Sequence, residues 1–129
     1  MGLSEKRAVQ SLKEKIVKSF ENEAKAVCGF NVAIDADWAS LENHQDCIWI
    51  IENLKPQTEW FDKAKEALKA ICADELGKGA LKDKLTKIYF INASGDLSLK
   101  AGTFTIRSAL DGGGIWGAEE IQSFLEKQL

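Results

Sequence analysis

The chain has 129 residues, 45% of them hydrophobic and 29% charged, with a formal net charge of −3. That length fits a single domain, residues 1–129, able to bury a core without metals or crosslinks, and the balance excludes a disordered chain. Net negative charge with only two arginines, Arg7 and Arg107, argues against a nucleic-acid partner, because duplexes are gripped mainly by neutralising phosphates.

Taken in chain order, residues 4–28 read as an amphipathic helix. Val9, Leu12, Ile16, Phe20, Ala24 and Val27 recur at helical spacing. Ser4 is the expected cap, and Gly29 the stop, since glycine enters the left-handed conformation freely. Phe30, Val32 and Ile34 alternate with Asn31, Ala33 and Asp35, which predicts a strand buried on one face. Residues 36–45 are polar and read as a loop. Asp46 to Glu52 holds Cys47, Ile48, Trp49, Ile50 and Ile51 unbroken, the pattern of a central strand paired with the first as a long-looped antiparallel hairpin.

Pro56 precedes a second helix over 58–75, with Thr58 as cap and Trp60, Phe61, Ala64, Leu68, Ile71 and Cys72 as its buried stripe. Gly77 and Gly79 are expected to end it, with a short turn over 80–85. A strand follows over 87–92, then a turn at Ser94-Gly95-Asp96. A second strand over 103–107 has Phe104 and Ile106 inward, and Leu97 and Leu99 extend that hairpin. The last helix spans 117–128 with Ile121, Phe124 and Leu125 inward. The order α-β-β-α-β-β-α, with strands in pairs, predicts an α+β fold: a mostly antiparallel sheet of four to five strands covered by three helices.

Cys28, Cys47 and Cys72 are odd in number and widely spaced, which suits small buried apolar groups in a reduced, cytoplasmic compartment. The charged N-terminus lacks the apolar run of a signal peptide, and Cys47 to Ile51 is too short to span a bilayer, so no membrane association is expected. Lys6 stands where N-myristoylation wants Ser or Thr.

Four segments are candidates for chemistry. Asp35, Asp37, Glu42, His44 and Asp46 crowd a short stretch, yet Ser40 stands where a calcium loop needs Gly, and one His does not make a zinc site. His44 and Cys47 resemble a base and a nucleophile in type, but Cys47 is expected in the core with His44 on the loop. Asp111 to Gly117 opens a helix with glycines, but Ala118-Glu119-Glu120 replaces the Lys and Ser of a phosphate loop. No catalytic residue, metal or cofactor is called for.

The fourth candidate is charge. Between Ala26 and Leu54 there are five acids and no Lys or Arg, whereas Lys78, Lys82, Lys84 and Lys87 cluster later. Such asymmetry steers charged partners. The leading expectation is therefore a non-catalytic interaction protein that docks a basic protein through an acidic loop. Its binding residues are Asp35, Asp37, Trp38, Glu42, His44 and Asp46, with Trp116 as a further exposed anchor. The competing expectation is a small-molecule pocket between sheet and helices, with Tyr89, His44, Arg107 or Trp116 at its mouth. A third is a homodimer formed through the long first helix or a free strand edge.

Overall fold

The computed structural model describes residues 2–53, 56–110 and 115–129. Its elements are α1 (Leu3–Cys28), β1 (Ala33–Ala36), α2 (Trp38–Glu42), α3 (Cys47–Glu52), a π-helical stretch (Pro56–Asp62) continuous with α4 (Lys63–Ile71), α5 (Glu75–Lys84), β2 (Lys87–Ile91), β3 (Ser98–Lys100), β4 (Thr103–Arg107) and α6 (Ala118–Gln128). The fold is α+β as expected. No helix among the described residues is long and apolar enough to cross a membrane.

The sheet departs from the antiparallel expectation. Its order is β1-β2-β4-β3, with β1 parallel to β2, β2 parallel to β4, and only β3 antiparallel to β4. The alternation of apolar and polar residues reports burial on one face, and strand direction does not follow from it. After β2 the chain passes to the outer edge as β3, then returns between β2 and β3 as β4. Four helices and the π-helical stretch lie between β1 and β2, long enough for a parallel crossover.

Among the described residues six α-helices stand where three were expected. The expected strand over 46–52 is α3: Cys47 and Ile50, three residues apart, are buried, whereas Trp49 is 53% exposed. A short apolar run carries no periodicity able to separate strand from helix. The expected loop over 36–45 contains α2, capped by Asp37, whose carboxylate accepts from Ser40 N at 3.3 Å. Gly77 and Gly79 lie inside α5 and do not end the preceding helix; Asp74 caps this new helix through Gly77 N. Gly77 is needed there for close approach, because a Cβ would lie 1.8 Å from the Ile71 carbonyl oxygen. Neither Ser4 nor Thr58 is a cap: Gly2 takes that place for α1, and Thr58 lies within the π-helical stretch.

The core joins one face of the sheet to a layer of helices. Ile34, Ala36, Ile88, Phe90, Phe104 and Ile106 are buried on that face. Trp60 stacks on Phe90 with ring centroids 5.4 Å apart, Phe61 meets both Phe90 and Phe20, and Phe124 stacks on Phe104 at 5.8 Å. These contacts lay α1, α4 and α6 side by side beneath β1, β2 and β4. Aromatic pairs of this kind contribute about 0.5–1.5 kcal/mol each beyond their buried area.

The opposite row, Asp35, Lys87, Tyr89, Ile91, Thr103, Thr105 and Arg107, is only partly buried. Among the described residues no helix covers it. Mostly parallel sheets are normally covered on both faces, so this wet face is a departure from the usual architecture.

Candidate functional site

Parallel strands end together, and β1, β2 and β4 deliver Asp37, Asn92 and Ser108 to one rim of the sheet. In open sheets of parallel strands, ligands gather beyond these carboxyl ends. Here the rim is tied by hydrogen bonds. Asp37 N donates to Phe90 O and Ser108 N to Ile91 O. Asn92 N donates to Ser40 Oγ at 3.1 Å, Asn92 Nδ2 to Ser40 O at 3.2 Å, and Leu110 N to Asn92 Oδ1 at 2.7 Å. Buried Ser108 receives Trp60 Nε1 at its carbonyl and Trp116 N at its hydroxyl, at 3.0 and 3.2 Å. Ser40, Asn92 and Ser108 were not singled out from sequence: isolated polar residues after strands carry no spacing signal.

The expected docking segment is more ordered than a solvated loop. Asp35 Oδ1 accepts from the Trp38 indole at 2.9 Å and from Ala36 N at 2.8 Å. Trp38 is half-buried, packs against the core, and has the Lys13 ammonium 5.9 Å from its ring centroid. Asp37 caps α2 through one carboxylate oxygen, Oδ1. His44 Nδ1 accepts from Asp46 N at 2.9 Å, which bends the link between α2 and α3. Glu42 is partly buried and Asp46 exposed. Asp35 and Asp37 thus approach the sheet face, while His44 and Asp46 lie beyond α2.

On the uncovered face, register places Asp35 beside Tyr89, Tyr89 beside Thr105, and Thr105 beside Ser98. Neighbouring strands lie about 4.8 Å apart, so this is one continuous row across the sheet. Burial pushes the Tyr89 phenol above its usual range, and the carboxylates of Asp37 and Asp35 push it further. The Lys87 ammonium lies 5.6 Å from the Tyr89 ring centroid, so the ring already offers its face to a cation.

Of the residues expected around one small-molecule mouth, Trp116 and Arg107 meet at the turn of residues 95–96, and His44 lies apart from them. Trp116 donates through its indole to Gly95 O at 3.0 Å and lines a groove of about 610 Å³ with Leu97 and Phe124. Tyr89 is on the uncovered face, His44 in the helical link, and Arg107 donates to Asp96 O at 3.1 Å. Cys47 is buried, and burial raises its thiol, with Glu5 and Glu42 adding to the effect, which opposes formation of a nucleophilic thiolate. Among the described residues no three His, Cys, Asp or Glu side chains converge as a metal ion requires. Of the glycine-rich segment, Asp111 to Gly114 lie outside the described residues; Gly117 N donates to Glu120 Oε1 at 3.1 Å at the start of α6.

No protein-family model matches the chain, and no curated protein or solved structure matches it significantly.

Proposed function

We propose that the chain is a non-catalytic interaction protein that docks a basic partner on the uncovered face of its sheet, at Asp35, Asp37 and Tyr89. The observation that supports this reading is Asp35 in register beside the partly buried Tyr89, with Asp37 just past the end of the same strand and near enough to raise the phenol's pKa. An Arg side chain from a partner finds carboxylates there to pair with, and reaches the Tyr89 ring by displacing the Lys87 ammonium or taking the other face. The acidic character of residues 26–54 adds long-range attraction for the same sign of partner.

The test keeps the fold and removes the charge. Asp35→Asn with Asp37→Asn retains the oxygen acceptors that hold Trp38 and α2 in place. A short blocked arginine-rich peptide is titrated while the Tyr89 ring signals are followed by NMR. Saturable shifts at Tyr89, lost in the double variant and weakened by salt, support the reading. Equal binding by the double variant, or no response at Tyr89, overturns it.

A further inference from the structure

The sheet has two unlike edges. At β1, both amides that point away from the sheet are already satisfied: Ile34 N donates to Glu21 Oε2 at 2.9 Å and Ala36 N to Asp35 Oδ1 at 2.8 Å. Ala33 and Asp37 bond inward, to Thr86 and Phe90. Carboxylates in those places block the addition of another strand. At the other edge, among the described residues, no side chain bonds the backbone of Ser98, Leu99 or Lys100.

The geometry of the β3–β4 hairpin says which groups that edge presents. Ala101 and Gly102 form its two-residue turn, with φ of 50° and 84°. In such a turn the flanking residues, Lys100 and Thr103, bond each other. Bonded and non-bonded pairs alternate along antiparallel strands, so Leu99, opposite Phe104, directs its N–H and C=O away from β4.

Beside this edge lies the groove of about 610 Å³, with Leu97, Trp116 and Phe124 as its apolar lining. The stacking of Phe124 on Phe104 fixes α6 below the hairpin and thereby sets the groove's position. Asp96, Glu119, Glu120 and Lys127 line it, all four exposed, and the Arg107 guanidinium bonds the Asp96 carbonyl.

We propose that the β3 edge and this groove bind an extended peptide segment whose apolar residues are flanked by Lys or Arg. The segment adds a strand beside β3 and exchanges backbone hydrogen bonds with Leu99. Side chains on its lower face enter the Leu97, Trp116 and Phe124 groove. Its cationic residues meet Glu119 and Glu120 on the α6 side of the groove, and these carboxylates favour a basic segment over an acidic one. This surface is separate from the one around Tyr89, which lies on the other face and toward the opposite edge.

A short blocked peptide of valines flanked by lysines is the probe, titrated into the full chain with backbone amide shifts and Trp fluorescence as readouts. The expected result is saturable shifts at Leu97, Leu99 and Phe124. Leu99→Pro removes the outward donor, a change edge strands tolerate, whereas Leu99→Val keeps it. The first weakens binding by up to about tenfold, as expected for one lost hydrogen bond, and the second leaves it within about twofold. Glu119→Lys, which does not touch the strand, weakens binding at low salt and loses that effect at high salt. Unchanged affinity in both Leu99→Pro and Glu119→Lys overturns the proposal. So does a peptide that shifts only Tyr89 and Asp35, or a dimer seen by light scattering that Leu99→Pro dissociates, which would assign the edge to a second copy of the chain.

Discussion

The Trp38 indole donates to the Asp35 carboxylate at 2.9 Å, and the same oxygen accepts the amide of Ala36 at 2.8 Å. One carboxylate oxygen therefore closes the end of β1, holds the ring that follows it, and satisfies an edge amide. Its loss leaves two partly buried donors without a partner. Asp35→Ala should cost about 1–3 kcal/mol in denaturant unfolding, whereas Asp35→Asn, which retains Oδ1, should cost about 1 kcal/mol or less. An equal cost for both would remove the hydrogen-bonding role.

Tyr89 is the only tyrosine in the chain, so its ionisation can be followed alone by phenolate absorbance. Burial, then Asp37, then Asp35 raise its pKa above the ordinary 10.0. The folded protein therefore holds the phenolic proton more tightly than the unfolded chain. That contribution to stability is fully present below pH 10.0 and is lost as pH rises through the folded value. Asp37→Asn should lower the midpoint toward the ordinary value without bringing it all the way back, because burial is the largest cause. A midpoint unaffected by Asp37→Asn would show that the carboxylate does not reach the ring.

The same residues show what was legible in the sequence. Alternation over 103–107 turned Phe104 and Ile106 inward, where both are buried, and over 87–92 it gave a strand whose core face, Ile88 and Phe90, only the structure identifies. It could not say that the strands run parallel, because side-chain period is the same in either direction. Ile48 to Ile51 was misread because burial at Cys47 and Ile50 becomes visible as a helical spacing only once α1 is in place beside α3. At the site, the acidic count over 35–46 was readable. The assignment of Asp35 to an indole and Asp37 to a cap was not, since both depend on where the chain turns after β1.

Two glycines in α5 should respond in opposite directions. At Gly77 a Cβ would meet the Ile71 carbonyl oxygen at 1.8 Å, and backbone there cannot swing aside as a side chain can. Gly77→Ala should destabilise the protein by about 1–3 kcal/mol or more, the usual cost of overpacking. A Cβ at Gly79 meets nothing within 4 Å. Gly79→Ala should therefore stabilise by about 0.5–1 kcal/mol through helix propensity and reduced freedom of the unfolded chain. Thermal midpoints of the two variants moving the same way would contradict the close packing between α5 and the end of α4.

The thiols offer a reading of the packing between α1 and α4. Phe20 meets Phe61 with ring centroids 5.8 Å apart, and Glu23 pairs with Lys65 at 2.7 Å, so the two helices run side by side in the same direction. That registration brings Cys28 at the end of α1 against Cys72 just past α4, both buried. Burial pushes the Cys28 thiol up to about 12, and its hydrogen bond with Cys72 adds to the rise. Burial likewise raises Cys72, with the Cys28 hydrogen bond opposing that rise. A thiol held in its protonated form is a poor nucleophile, so both should resist alkylation by iodoacetamide at neutral pH while the protein is folded. Denaturant should release them, at a rate that follows unfolding. Lys65→Ala removes the Glu23 partner at a site more than a third exposed, and should cost at most about 1 kcal/mol after solvent screening. Its effect on alkylation should accordingly be a modest acceleration. Rapid labelling of Cys28 and Cys72 in the untouched native protein would mean that the ends of α1 and α4 do not close over these thiols.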